Sequence, residues 1–399
     1  MQPETGPLFG VADFRRLFAI GIAASVGRWI EMLVIGVAVW AETGSAFLVA
    51  SMTLLRMMPM GLFGAFAGVA ADRVQRRSAL VAVLLLQGVV AVALCILAAT
   101  GTIAVWHIAL GSFLSGISWA ADNPVRRMML GEVVGGPRMG RAMSFDVMGN
   151  NACRIAGPAL GGLLLAQAGL AVAFAVSACV YMIGAALALA IRHRSTLKPP
   201  RPGGVLAESF ASFAEVLRTP GMKGLMAVTI TFNIWGWPAL SMVPVIAAAN
   251  HGLGPGGTGL LASMDGLGAL ACATLLAWVG RTRDYRAIYV AGTATYLVML
   301  LAFALAPSPG LAGLALIFLG IGSAAFGVTQ STLVYLAAPG EMRSRALGVL
   351  SFCIGLGLIG FLHVGIMANL LGARTAMLVI GAEGLLVLIL VRRRWPALG

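Results

Sequence analysis

Charge is what this sequence has least of. Only 10% of its 399 residues are Asp, Glu, Lys or Arg, where a soluble chain carries about 25%. So few charges cannot maintain a water-facing surface, which excludes a soluble globular domain. Acids number 14 and histidines four. The histidines are scattered and no HExxH occurs, so neither a metal site nor a cofactor is expected. The five cysteines, Cys95, Cys153, Cys179, Cys272 and Cys353, fall inside apolar stretches without metal-ligand spacing, and disulfides are not expected there. Residues 1–13 show no basic n-region and no small-residue cleavage site, so a cleaved signal peptide is not expected either.

What the chain has instead is apolar mass. Hydrophobic residues make up 60% and mean hydropathy is +0.95, so lipid is the solvent. The 52 glycines suit helices that pack closely in a bilayer. A span needs about 20 apolar residues. Twelve such segments are predicted, near 17–41, 46–70, 78–99, 103–124, 141–167, 170–191, 222–248, 257–279, 286–306, 310–335, 345–370 and 373–391. Gly and Pro mark most junctions, among them Gly101, Gly169, Gly254-Pro255 and Gly372.

The bases orient these segments. Of the 27 Lys and Arg, Arg28, Arg56 and Arg154 lie inside segments and Arg374 lies in an outward loop. The other 23 fall at alternate junctions or at the two ends, which puts both termini in the cytoplasm. The net charge of +13 is spread over short inner loops, so nucleic acid is not an expected partner. One junction is long. It begins basic and Pro-rich at 194–202, and Leu206, Phe210, Phe213 and Leu217 then recur at helical spacing. An amphipathic helix on the inner membrane surface is expected there. The junction divides the chain into an N-terminal bundle at 1–192, a linker at 193–221 and a C-terminal bundle at 222–399. A shift of 204 lays Arg141-Ala142-Met143 on Arg345-Ala346-Leu347, Gly116 on Gly320 and Gly161 on Gly365, a trace of internal duplication.

Charges inside a bilayer each need a reason, because a central one costs about 2.5–3.5 kcal/mol on insertion scales. Arg28 and Glu31 share a face of the first segment, where they could pair. Arg56 sits in the second. In the fifth, Asp146, Asn150, Arg154, Gly157 and Gly161 form one stripe about 80° wide at roughly 100° per residue, which should face protein or water. Asp265 lies in the eighth segment and Glu383 in the twelfth, the latter assigned to packing or an arginine partner. Coupling to protons needs a carboxylate that can be protonated and deprotonated within a cycle. Glu31, Asp146 and Asp265 are the candidates. Arg28, Arg56, Asn150, Arg154, Asn233, Trp237 and Gln330 are the candidate cavity residues, with Trp237 suited to an apolar or aromatic ligand.

Gly68-x-x-x-Asp72-Arg73-x-x-Arg76-Arg77 resembles the loop 2–3 signature of the major facilitator superfamily, with Gln75 where that pattern has Gly. Phe14-Arg15-Arg16-Leu17, Asp122-Asn123-Pro124-Val125-Arg126 and Gly157-Pro158-x-x-Gly161-Gly162 resemble the branch of bacterial exporters that includes the enterobactin exporter. The resemblance implies an all-α membrane protein of two pseudo-symmetric six-helix bundles in the bacterial inner membrane. It implies that Gly68, Asp72, Arg73, Arg76 and Arg77 latch one state against the region near Arg345–Gly348. Gly157, Pro158, Gly161 and Gly162 are implied to bend the fifth helix and bring it against a neighbour. The fuller antiporter pattern has Gly where Cys153 stands, and the helix-4 arginine of several drug antiporters is replaced by Ser112. The implied function is export of a small hydrophobic or amphipathic molecule, such as a drug, siderophore or metabolite, by proton antiport. Its partners would be substrate, protons and lipid, with the protein a monomer. An importer of the same fold is the alternative. A receptor, scaffold or membrane enzyme is disfavoured, since no nucleophile elbow or phosphate-binding loop is present.

Overall fold

The computed structural model describes residues 8–73, 75–195, 216, 218–219, 221–279, 284–338 and 342–395, with backbone alone at 63–73, 123, 136–137, 277, 279, 335, 343–345 and 347. A short 3-10 turn, Leu8–Gly10, leads into α1 (Ala12–Thr43), α2 (Ala46–Arg73), α3 (Arg76–Ala99) and α4 (Val105–Val134). Next, α5 (136–168) and α6 (170–189) run through one helical stretch, Gly136–Leu189, broken at Gly169. Gly169 has φ 81°, a region open to glycine, so the chain turns back there without a loop. The second half comprises α7 (Met222–His251), α8 (Pro255–Val279), α9 (Tyr285–Leu305), α10 (Pro309–Ala337), α11 (Arg343–Gly355 continuing as Gly357–Leu371) and α12 (Ala373–Arg394). Among the described residues, twelve helices thus stand where the twelve spans were predicted, six on each side of the long junction. The expected linker helix at 205–218 lies almost wholly outside the described residues.

Lipid-facing surfaces carry Val89, Leu260 and Leu370, all exposed. Association between such helices rests on close packing and internal polar bonds rather than on hydrophobic burial. The duplication read from the sequence has a packing counterpart. A β-carbon at Gly116 on α4 would collide with the carbonyl of Arg56 on α2; one at Gly320 on α10 would collide with the carbonyl of Asp265 on α8. The same helix pair, one half on, is thus held by a glycine at the matching place.

Two departures from the prediction bear on the site. The fourth segment was expected to end at 124, yet α4 continues through Pro124 to Val134. Val125, Met129, Leu130 and Val134 bury one face of the extra turns against Phe14, Leu17 and Leu84. That packing outweighs the hydrogen bond Pro124 cannot donate. The second difference is in α7, which widens to a π turn at Phe232–Gly236 and tightens to 3-10 at Trp237–Met242. Pro238 and Pro244 both lack the N–H that a regular helix would use there, and such interruptions recur at functional sites.

Candidate functional site

The N-terminal bundle is tied internally by buried ion pairs. Arg28 on α1 reaches Asp122 on α4 at 3.2 Å and lies over the Trp119 ring, 4.8 Å from its centroid. Glu31 on α1 takes Arg56 of α2 at 2.6 Å. Arg126 on α4 bonds Asp146 of α5 and lies 3.8 Å from Asp122, while Arg127 reaches Asp146 at 3.3 Å. The sequence pointed to Arg28 with Glu31 because they share a face. The structure divides them because Asp122 and Arg56 are themselves buried charges that need partners, and pairing across helices gives each of the four a counter-charge. Asp122 and Arg126 were missed as members of this set. The signal was their spacing of four, which only a helix running past 124 turns into a shared face.

One ion pair among the described residues joins the two halves. Arg154 on α5 donates to Asp265 on α8, Nε to Oδ2 at 2.8 Å, and its Nη2 lies 2.5 Å from the same oxygen. Both residues are buried, and Asp265 Oδ1 has no hydrogen-bond partner among the described residues. The Arg154 guanidinium lies between two indoles, 5.5 Å from the Trp29 ring centroid and 5.6 Å from that of Trp237. Asp146, on the same stripe, and Glu31 are held instead by Arg126 and Arg56.

The pair sits in the wall of a cavity between the halves. It is otherwise lined by apolar and small polar side chains, among them Trp29, Met32, Thr53, Trp237, Leu240 and Phe361. Its outer end is closed. Gly162 of α5 meets Gly259 and the Pro255 carbonyl of α8, and Gly36 of α1 abuts Pro244 of α7. Gly157 faces Trp29 and Gly161 faces Ile30 of α1, so the Gly-Pro stretch packs α5 on both sides. Its backbone stays helical through Pro158, the non-helical residue being Gly169. The stretch here gives close approach rather than interruption.

The remaining predicted residues are dispersed. Asn150 accepts from Ser25 at 3.0 Å. Asn233 gives its Nδ2 to the Thr229 carbonyl at 2.9 Å and borders a second cavity. Gln330 is buried against Thr229 at 3.1 Å and lines neither cavity. Glu383, assigned to packing or an arginine partner, accepts from Trp235 Nε1 at 2.9 Å and lies 3.6 Å from His363. The side chains of Gly68, Asp72 and Arg73, and of 343–345, lie outside what is described. Arg76 bonds Glu132 of α4, which also accepts from Ser195 at 2.7 Å and lies 3.1 Å from His193. Arg77 donates to the Leu189 carbonyl.

Fold and site together define a membrane transporter with a central cavity between two bundles. Residues 6–397 match the transmembrane secretion effector family, and the chain belongs to this family of the major facilitator superfamily. It is 24% identical to an uncharacterised major facilitator transporter of Bacillus subtilis, YfiS, over 92% of this chain and 89% of that one. It is 26% identical to the staphyloferrin A transporter of Staphylococcus aureus over 183 residues, 46% of each chain. Among solved structures, a POT family transporter in complex with 5-aminolevulinic acid superposes with a TM-score of 0.81 at 13% identity, covering 99% of this chain and 98% of that chain. The protein is a multi-pass secondary transporter of small molecules, not an enzyme.

Proposed function

We propose that the protein exports a small amphipathic molecule across the bacterial inner membrane in exchange for protons, with the Arg154–Asp265 pair as the lock. The carrying observation is that this ion pair joins the halves and lines the cavity. While Asp265 is ionised and the cavity empty, the pair holds α5 on α8 and the outer side stays shut. Parting the halves then strands two buried charges, a cost of about 3–5 kcal/mol when one partner is lost. A proton on Asp265 removes the attraction; a substrate hydrogen-bonded to Asp265 replaces it. Proton and substrate compete for one carboxylate, so each loaded form reorients and the empty ionised form is held, which is the requirement for exchange.

The rocking bodies in this reading are 1–192 and 222–399, with 193–221 as tether. Glu31 and Asp146 act as fixed members of the N-terminal ion pairs, and Gly68–Arg77 latches the opposite state. The family's description as secretion effectors and the staphyloferrin A relative support export of a metabolite or siderophore-like compound. The test is an untargeted comparison of small molecules in medium from cells with and without the protein, run beside a drug-susceptibility panel. Compounds enriched outside only when the protein is present support export. Accumulation of such a compound inside energised cells contradicts it and favours import.

A further inference from the structure

A second cavity lies directly beneath the first and belongs to no step above. It is lined by Met57, Met60, Trp119, Asn233 and Leu358, and it shares only Trp237 and Phe361 with the upper one. The order of its residues along three helices fixes its level. On α2, Val49 and Thr53 line the outer cavity and Met57 and Met60 the inner one; on α7, Leu240 and Ser241 line the outer and Asn233 the inner; on α11, Ile354 and Leu358 lie inward of Phe361. The passage is therefore two chambers in series with Trp237 and Phe361 as the partition.

The chambers differ in chemistry. The outer one holds Arg154 and Asp265, whereas no charged residue among those described lines the inner one. Two thioethers and two indoles make a polarisable wall suited to an aromatic face. Asn233 supplies an acceptor: one Nδ2 hydrogen is committed to the Thr229 carbonyl, and Oδ1 is open to accept. Trp119 is fixed from behind by Arg28. Trp237 is different, because it rests on Arg154 and sits in the 3-10 part of α7. The opposing wall of the chamber is α11 at its own interruption, Gly355–Gly357.

We infer that the inner chamber is a separate loading site for an uncharged aromatic group bearing one hydrogen-bond donor. Trp237 passes that group outward once Arg154 lets go of Asp265. The inference rests on the export reading for its direction, but the site is testable alone. N-phenyl-1-naphthylamine, a neutral aromatic amine with a single N–H, is the probe. Its fluorescence is titrated against the purified full chain in nanodiscs, with empty nanodiscs as blank. Saturable binding is expected, weakened about tenfold or more by Met60→Trp, which fills the chamber, and severalfold by Asn233→Val. Thr53→Trp, which blocks the outer chamber instead, should leave it within about twofold. Met57→Trp provides a second filling variant, and each variant is scored only as monodisperse protein. No saturable binding, or binding indifferent to both filling variants, overturns the loading site. Equal loss in Thr53→Trp also overturns it, by putting the probe in the outer chamber. A wild-type pH response in Asp265→Asn, with probe binding still lost in Met60→Trp, sinks the lock and leaves the loading site standing.

Discussion

Gly162 on α5 and Gly259 on α8 face each other across the outer end of the passage, and a β-carbon on Gly162 would come 2.9 Å from the Gly259 Cα. Nothing wider than a hydrogen fits on either residue while the halves are in this arrangement. The contact is the seal above the Arg154–Asp265 pair, and the two belong to the same helix pair.

A disulfide should trap that seal. With the five native cysteines replaced, Ala166→Cys/Gly256→Cys, on the same two helices with β-carbons 3.8 Å apart, is expected to cross-link on mild oxidation. Thr53→Cys, in the outer cavity wall, is added to the same variant as the reporter thiol. Its labelling by a membrane-impermeant maleimide from outside should slow about tenfold or more in the oxidised form and recover on reduction. Equal labelling in both forms would mean that α5 and α8 do not gate the outer side.

The N-terminal ion pairs should behave as structure. Asp122→Ala leaves Arg28 buried without its counter-charge and is expected to cost about 3–5 kcal/mol. Arg28→Met/Asp122→Leu removes both charges and should restore most of that loss. Thermal unfolding in one detergent compares them. A double variant as unstable as the single would show that the pair is not the unit.

Paired glycines should be intolerant at matching places. Gly116→Leu and Gly320→Leu drive side chains into backbone carbonyls of Arg56 and Asp265, which cannot yield. Each is expected to lose about 1–3 kcal/mol of stability. Gly327→Ala on α10 meets no atom within 4 Å and should be neutral or gain up to about 1 kcal/mol in helix propensity. The same melting assay separates them, and a silent Gly320→Leu would contradict the packing described.

These contrasts also mark what the sequence could and could not tell. The helices and the break at Gly169 were legible because lipid demands long apolar runs and glycine marks the turns. The glycine match at 116 and 320 was visible and proved to be a packing match. Pairing among charges was not legible. Arg28 and Glu31 look like partners at a spacing of three, but their choices depend on which helices stand opposite. Arg154 was singled out from its stripe, while its partner on α8 lies 111 residues away, beyond the reach of any local pattern. The partition between chambers depends on a π turn and a 3-10 turn in α7, for which Pro238 gave only a hint.

The lock itself is tested most directly by spin-label distances across the outer mouth, a measurement that needs no substrate. Glu42 ends α1 and Gly254 lies between α7 and α8; both are exposed and can be changed to cysteine and labelled. In the parent protein the distance should be short at neutral pH, and a longer population should grow as the pH is lowered and Asp265 takes a proton. In Asp265→Asn the longer population should dominate at every pH. A variant that keeps the parent's short distance and its pH dependence would contradict the Arg154–Asp265 lock.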